Sequence, residues 1–117
     1  MAPKIHDYKD LIVWQKSMLL TKQVYLLTKK LPPQEQYGLC SQIRRSAVSI
    51  PSNIAEGHSR KTRKDFCQFL CISRGSIAEL ETQLILVEDI YKIASIELKE
   101  LILEIRKMLS VLIVKMS

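Results

Sequence analysis

Between residues 66 and 91 an apolar or small side chain returns at alternating steps of four and three positions: Phe66, Leu70, Ser73, Ile77, Leu80, Leu84, Val87 and Tyr91. An α-helix completes a turn every 3.6 residues, so this rhythm puts all of them on one face. A strand, whose side chains alternate faces, cannot do so. The rhythm is a heptad pattern and predicts a helix over about 63–92, on the order of 40 Å long at 1.5 Å per residue. Thr62 followed by Asp65 resembles a capping box at its start. Beside the stripe runs a ridge of small residues, Cys67, Cys71, Gly75 and Ala78, of the kind that lets another helix approach closely. So long an apolar face has to be covered by other elements.

Three further stripes supply the cover. Val13, Trp14, Leu20, Val24, Tyr25, Leu27 and Leu31 predict a helix over about 10–31, stopped by Pro32 and Pro33, which cannot donate a backbone hydrogen bond. Leu39, Ile43, Ala47, Ile50 and Ile54 predict a second over about 35–56, with Gly57 as a left-handed C-terminal cap. Pro51 lies inside this stripe and crowds the carbonyl of Ala47, so a kink is expected there. Ser95 is the expected N-cap of a fourth helix over about 96–116, carrying Leu98, Leu101, Ile102, Ile105, Met108, Leu109, Leu112, Ile113 and Met116. Four amphipathic helices on short connections imply one all-α domain over 1–117, an antiparallel up-down-up-down bundle. The apolar surface exceeds what such a core needs. Val111 and Val114 broaden the fourth stripe, and Leu11, Ile12, Leu19 and Leu26 lie off the first, which points to self-association.

Composition agrees with a folded chain: 47% of the 117 residues are hydrophobic and 26% charged. With only 3 glycines and 4 prolines, the turns of an all-β fold are lacking. The net charge of +6 is unevenly spread: residues 1–74 hold 13 basic and 5 acidic groups, residues 75–117 hold 5 and 7. That asymmetry suits a partner of opposite sign, nucleic acid being the commonest, or two halves that face each other between subunits. Residues 1–10 are polar with no apolar run, so no secretory signal is expected. The apolar run 108–114, between Lys107 and Lys115, is far too short to span a membrane. A soluble, cytoplasmic protein is the expectation. Cys40, Cys67 and Cys71 lack CxxC spacing, and His6 and His58 are the only histidines. No metal site is expected, and the thiols read as reduced packing groups.

Nothing positions a catalytic group. No glutamate has a histidine three residues on, as di-metal bundles require. Glu56 and His58 lie on diverging faces, and Gly38, Gly57 and Gly75 stand apart, giving no phosphate-binding loop. The expectation is a protein that is not an enzyme and uses no cofactor. Two polar features remain. Gln42, Arg45, Ser49, Asn53 and Glu56 make a line along the second helix, either a solvated face or a seam between helices or subunits where donors need partners. Arg60, Lys61, Arg63 and Lys64 surround the start of the third helix, an end that the helix dipole already makes positive. They form either a phosphate-binding cluster, with Arg44 and Arg45 as weaker candidates, or a basic loop partly neutralised by Glu56.

The stretch 42–57, QIRRSAVSIPSNIAEG, resembles the signature of the four-helix bundle proteins encoded within intervening sequences of bacterial 23S ribosomal RNA genes, also labelled S23 ribosomal proteins. Tyr8 to Trp14, Phe69-Leu70 and Arg74 to Leu80 support the likeness, which covers most of the chain through about Tyr91. The resemblance implies a left-handed bundle assembled as a homopentamer. That family is similar to the accessory protein of diversity-generating retroelements, a basic pentameric barrel that binds nucleic acid and a reverse transcriptase. The family has no accepted active site, so no catalytic residue is carried over. Together these point to an oligomer that binds RNA or DNA through a basic surface. The alternative is a scaffold that docks a protein partner such as a reverse transcriptase.

Overall fold

The computed structural model describes residues 7–117; residues 1–6, on which part of the expectation about a leader falls, lie outside it. Four helices carry the described chain: α1 (Ile12–Thr28), α2 (Leu39–His58), α3 (Arg63–Tyr91) and α4 (Ile96–Met116). Short 3-10 turns precede α1 (Tyr8–Asp10) and α2 (Pro33–Glu35), and the described residues contain no strand. The helices pack around one core in the order α1–α2–α3–α4–α1, with α2 against α3 the most extensive pairing. The resulting bundle measures 52 × 23 × 20 Å.

The stripes bury as their spacing requires. Leu20 and Val24, Ile43, Ile50 and Ile54, Leu70, Ile77 and Leu80, and Ile105 and Leu109 are wholly removed from solvent. Each such side chain stabilises the fold by about 1.5–3 kcal/mol through burial. Tyr25 departs from its stripe and stays exposed, its ring covered by the Arg44 guanidinium at 4.4 Å. Trp14 is half-buried against the edge of Tyr8.

The ends of α1 and α2 differ from expectation, while those of α3 and α4 fall within a residue of it. α1 closes at Thr28 because the amides of Lys30 and Leu31 bond three residues back, to Leu27 and Thr28, tightening the chain ahead of Pro32. Residues 33–35 form their own turn, so α2 begins only at Leu39. Thr62 and Ser95 act as the expected caps: their hydroxyls accept from the amides of Asp65 (3.1 Å) and Leu98 (3.2 Å). α3 ends at Lys92, whose φ of 59° is left-handed and whose amide bonds to the Glu88 carbonyl.

Gly57 is no cap. It lies inside α2 with helical φ, and the reason for a glycine is steric: a Cβ there would stand 2.5 Å from the Cβ of Phe69 on α3. The close approach of helices takes place here and not along the ridge Cys67–Ala78, where Cys71, Gly75 and Ala78 are exposed and nothing lies within 4 Å of a Cβ built on Gly75.

α2 runs through Pro51 without a break. Proline has no N–H, so the Ala47 carbonyl four residues earlier loses its helical donor. The Thr21 hydroxyl of α1 takes that place: it lies 3.2 Å from the Ala47 oxygen and 2.8 Å from the Ser17 oxygen, sharing one hydrogen between them. A neighbouring helix thus answers the acceptor that the proline strands.

Two outcomes follow for stability, both read by urea denaturation. Thr21→Val should cost about 1 kcal/mol, and much less in a Pro51→Ala background, where the new amide can serve Ala47. Gly57→Ala should destabilise by roughly 1–3 kcal/mol through the clash with Phe69, whereas Gly75→Ala should stabilise by up to about 1 kcal/mol through helix propensity.

Candidate nucleic-acid interface

The basic cluster divides into two kinds of residue. Arg60 stacks on the Phe69 ring at 4.9 Å and lies 3.7 Å from the Glu56 carboxylate, so it braces the turn between α2 and α3. Arg63 donates from Nη2 to the Lys115 carbonyl at 2.7 Å. That carbonyl belongs to the last turn of α4, which carries negative dipole charge and lacks helical donors, so a cation there is favourable. Lys61 and Lys64 are exposed and, among the described residues, have no carboxylate within 4.0 Å. The two arginines hold the end of the bundle together; the two lysines project from it.

The polar line on α2 also divides. The Ser49 hydroxyl meets the Ser76 hydroxyl of α3 at 2.9 Å, and Asn53 Nδ2 donates to the Ser49 carbonyl (2.7 Å) and hydroxyl (2.9 Å). Glu56 turns to Arg60. Gln42 and Arg45 stay exposed. The middle of the line is therefore a seam between α2 and α3 within the chain. Its neighbours extend it: Ser46 donates to Glu79, and the buried Ser73 hydroxyl donates to the Ile50 carbonyl at 3.0 Å. Ser46, four residues after Gln42 and three before Ser49, lies on the same face of α2 as that line.

Arg44 and Arg45, neighbours in sequence, have different surroundings. Arg44 lies over Tyr25 and donates from Nε to the Thr28 hydroxyl at 2.9 Å, clamping α1 to α2. Both arginines line a surface groove of about 590 Å³ together with Tyr25, Tyr37, Ser41 and Val48. Tyr37, 91% exposed, is the most exposed large hydrophobic side chain described. Sequence periodicity misses this groove because Tyr37 belongs to no stripe. An aromatic residue beside Gly38, in the connection just before two arginines of the next helix, is the local signal that could have marked it.

Tyr91 at the end of α3 donates its hydroxyl to Glu35, whose other oxygen accepts from the Leu39 amide at 3.4 Å. The hydrogen bond to Glu35, reinforced by burial and by the charge of Glu35, raises the Tyr91 phenol above its ordinary 10.0. His58 packs its ring on the edge of Phe66 at 5.7 Å. The thiols span the range from buried Cys40 through half-buried Cys67 to exposed Cys71, so Cys71 does not pack as the sequence suggests. Among the described residues no three His, Cys, Asp or Glu side chains cluster as metal ligands, and no helix is long and apolar enough to cross a membrane.

The sequence profile of the 23S rRNA-intervening sequence protein family matches residues 9–113, from the first 3-10 turn to the last turns of α4. The chain belongs to that family. The match takes in all four helices, whereas the residue-level likeness recognised in the sequence fades after Tyr91. No curated protein gives a match.

The raised Tyr91 phenol has a consequence with a definite sign. Because the fold favours the neutral hydroxyl, the contribution is complete below pH 10.0 and is lost as the pH rises through the higher folded value. Denaturation midpoints measured from pH 9 to 11 should fall more steeply for the native chain than for Tyr91→Phe, and the gap between the two should narrow as the pH rises.

Proposed function

We propose that this chain forms a non-enzymatic, cytoplasmic oligomer that binds the backbone of RNA or DNA through a basic surface. One observation carries the reading. Among the described residues Lys29, Lys30, Arg44, Arg45, Lys61 and Lys64 have no carboxylate within 4.0 Å, so their charge is available to phosphates. The excess of basic over acidic groups in residues 1–74 supports the same reading. Base-specific recognition is not part of it, since no helix bears a known reading module.

Assembly is supported by apolar surface that one chain leaves open. Ile12, Leu19 and Leu26 recur every seven residues on α1, and Val111 and Val114 lie on α4, all of them exposed. Ile12, Val111, Met108 and Leu112 border an apolar groove of about 440 Å³. The resemblance stated above supports five copies and a left-handed bundle. An up-down-up-down course is supported by cross-helix partners that run in opposite order: Thr28 with Arg44 and Thr21 with Ala47, then Ser46 with Glu79 and Ser49 with Ser76, then Arg63 with Lys115 and Glu88 with Lys99. Ringed copies would repeat the exposed lysines around a belt, so weak contacts add through multivalency.

The α1–α4 apolar groove also favours a second reading, a scaffold that docks a protein partner there. A partner that stays bound after nuclease treatment would distinguish it from one bridged by nucleic acid.

Size-exclusion chromatography with light scattering should give a mass several times that of the 13.5 kDa chain; a monomer would remove the ring. In a mobility-shift titration at low ionic strength, the double variant Lys61→Glu, Lys64→Glu should bind at least about tenfold more weakly than the native chain. Its dependence of log affinity on log salt should be shallower by about 2 for each chain in contact. Those lysines make no contact that the fold needs, so the bundle should keep its thermal midpoint. Unchanged affinity would place the contact elsewhere, and no complex at all would end the nucleic-acid reading.

A further inference from the structure

We propose that the groove between the end of α1 and the first turns of α2 receives one unpaired nucleotide, its base lying on the Tyr37 ring and its phosphate held by Arg45 and Arg44. This rests on the nucleic-acid reading above and specifies the kind of strand and the residues that meet it.

The lining of the groove combines charge and aromatic surface in a way that selects its occupant. Its residues include two arginines and two tyrosines but no aspartate or glutamate. Neither guanidinium has a carboxylate within 4.0 Å among the described residues. Glu35, the nearest carboxylate along the chain, is occupied by the Tyr91 hydroxyl and the Leu39 amide. An anion is therefore favoured there. The first turn of α2 carries no acidic side chain, so the helix end does not oppose one.

Arg44 is held before any ligand arrives. Its guanidinium rests 4.4 Å from the Tyr25 ring centre and its Nε is bonded to Thr28, while its two terminal nitrogens have no hydrogen-bond acceptor among the described residues. A guanidinium fixed in this way loses little freedom on gripping a phosphate. Arg45, exposed beside it, adds a second charge.

The two tyrosines are not equivalent. The Tyr25 face is covered by Arg44, whereas Tyr37 is 91% exposed on a turn anchored by the Gln36 and Gly38 amides, which bond to Pro33 and Glu35. A bare ring on an ordered turn offers a flat surface to another ring. A small inorganic anion would have no use for it, and an apolar helix would have no use for two unpaired arginines. A nucleotide uses both. Bases within a duplex are already stacked on one another, so a ring that stands out from the protein can reach them only in an unpaired strand.

Fluorescence anisotropy with a short labelled poly-uridine strand, a poly-thymidine strand of the same length and a matching duplex tests this. Tyr37→Ala should weaken binding of the single strands about tenfold and leave the duplex unchanged. Tyr37→Trp should retain single-strand affinity, since only the aromatic face is needed, and Arg45→Gln should reduce it. A poly-deoxyuridine strand of the same length separates the effect of the sugar from that of the thymine methyl group, and tight binding of any single strand supports the assignment. Equal affinities for native protein and Tyr37→Ala overturn it while leaving the wider nucleic-acid reading intact. Failure of the native chain to bind any of these nucleic acids removes both. A Tyr37→Ala variant that keeps its affinity but changes its mass by light scattering assigns the groove to contact between copies, which also overturns the proposal.

Discussion

The bundle depends on how closely α2 can lie against its neighbours, and two irregularities in that helix set the distance. At Gly57 the absent side chain lets the α2 backbone come against the Cβ of Phe69, a separation no larger residue allows. At Pro51 the absent amide leaves an acceptor that α1 must satisfy from outside. A helix of ordinary composition would need neither neighbour so near. Because these demands fall on opposite flanks of α2, one toward α3 and one toward α1, they locate the helix between its neighbours in a way that greasy packing, which has no direction, cannot do.

Around that position polar contacts join the helices directly. Ser46, Ser49, Ser73 and Ser76 tie α2 to α3 through short hydroxyls that lose little side-chain freedom. Ion pairs bind α4 to α1 through Lys16 and Glu104 at 2.7 Å, and to α3 through Arg106 and Glu81 at 2.9 Å. These pairs are partly exposed, so each contributes little on its own. The contrast matters for function. Glu81 and Glu88 of α3 and Glu104 of α4 are paired with cations within the chain, whereas Lys29, Lys30, Arg44, Arg45, Lys61 and Lys64 of the first half have no carboxylate within 4.0 Å among the described residues.

How much of this could be read from the sequence follows from what periodicity encodes. Spacing reports which face a residue lies on, and the buried sets Ile43–Ile54 and Leu70–Val87 fall on the faces their spacing demands. The caps at Thr62 and Ser95 are equally legible because donor and acceptor are three residues apart. Contacts between distant segments are not encoded that way. Thr21 meets Ala47 across 26 positions, and Arg63 meets Lys115 across 52. Spacing alone therefore sees a basic cluster of four equal members, where the fold employs two of them as braces. Gly57 shows the same limit: its identity is legible, but a glycine can serve a turn or a close approach, and only the position of Phe69 decides which.

The contact of Arg63 with Lys115 has a wider bearing. It joins the cationic loop to the last turn of the helix that bears Val114, one of the most exposed apolar residues. Nη2 of Arg63 already serves that carbonyl, so any anion drawing it away would loosen the terminal turn of α4 at the same time. The cationic loop and the last turn of α4 thus share one hydrogen bond, and an anion and the helix end would compete for the same guanidinium nitrogen.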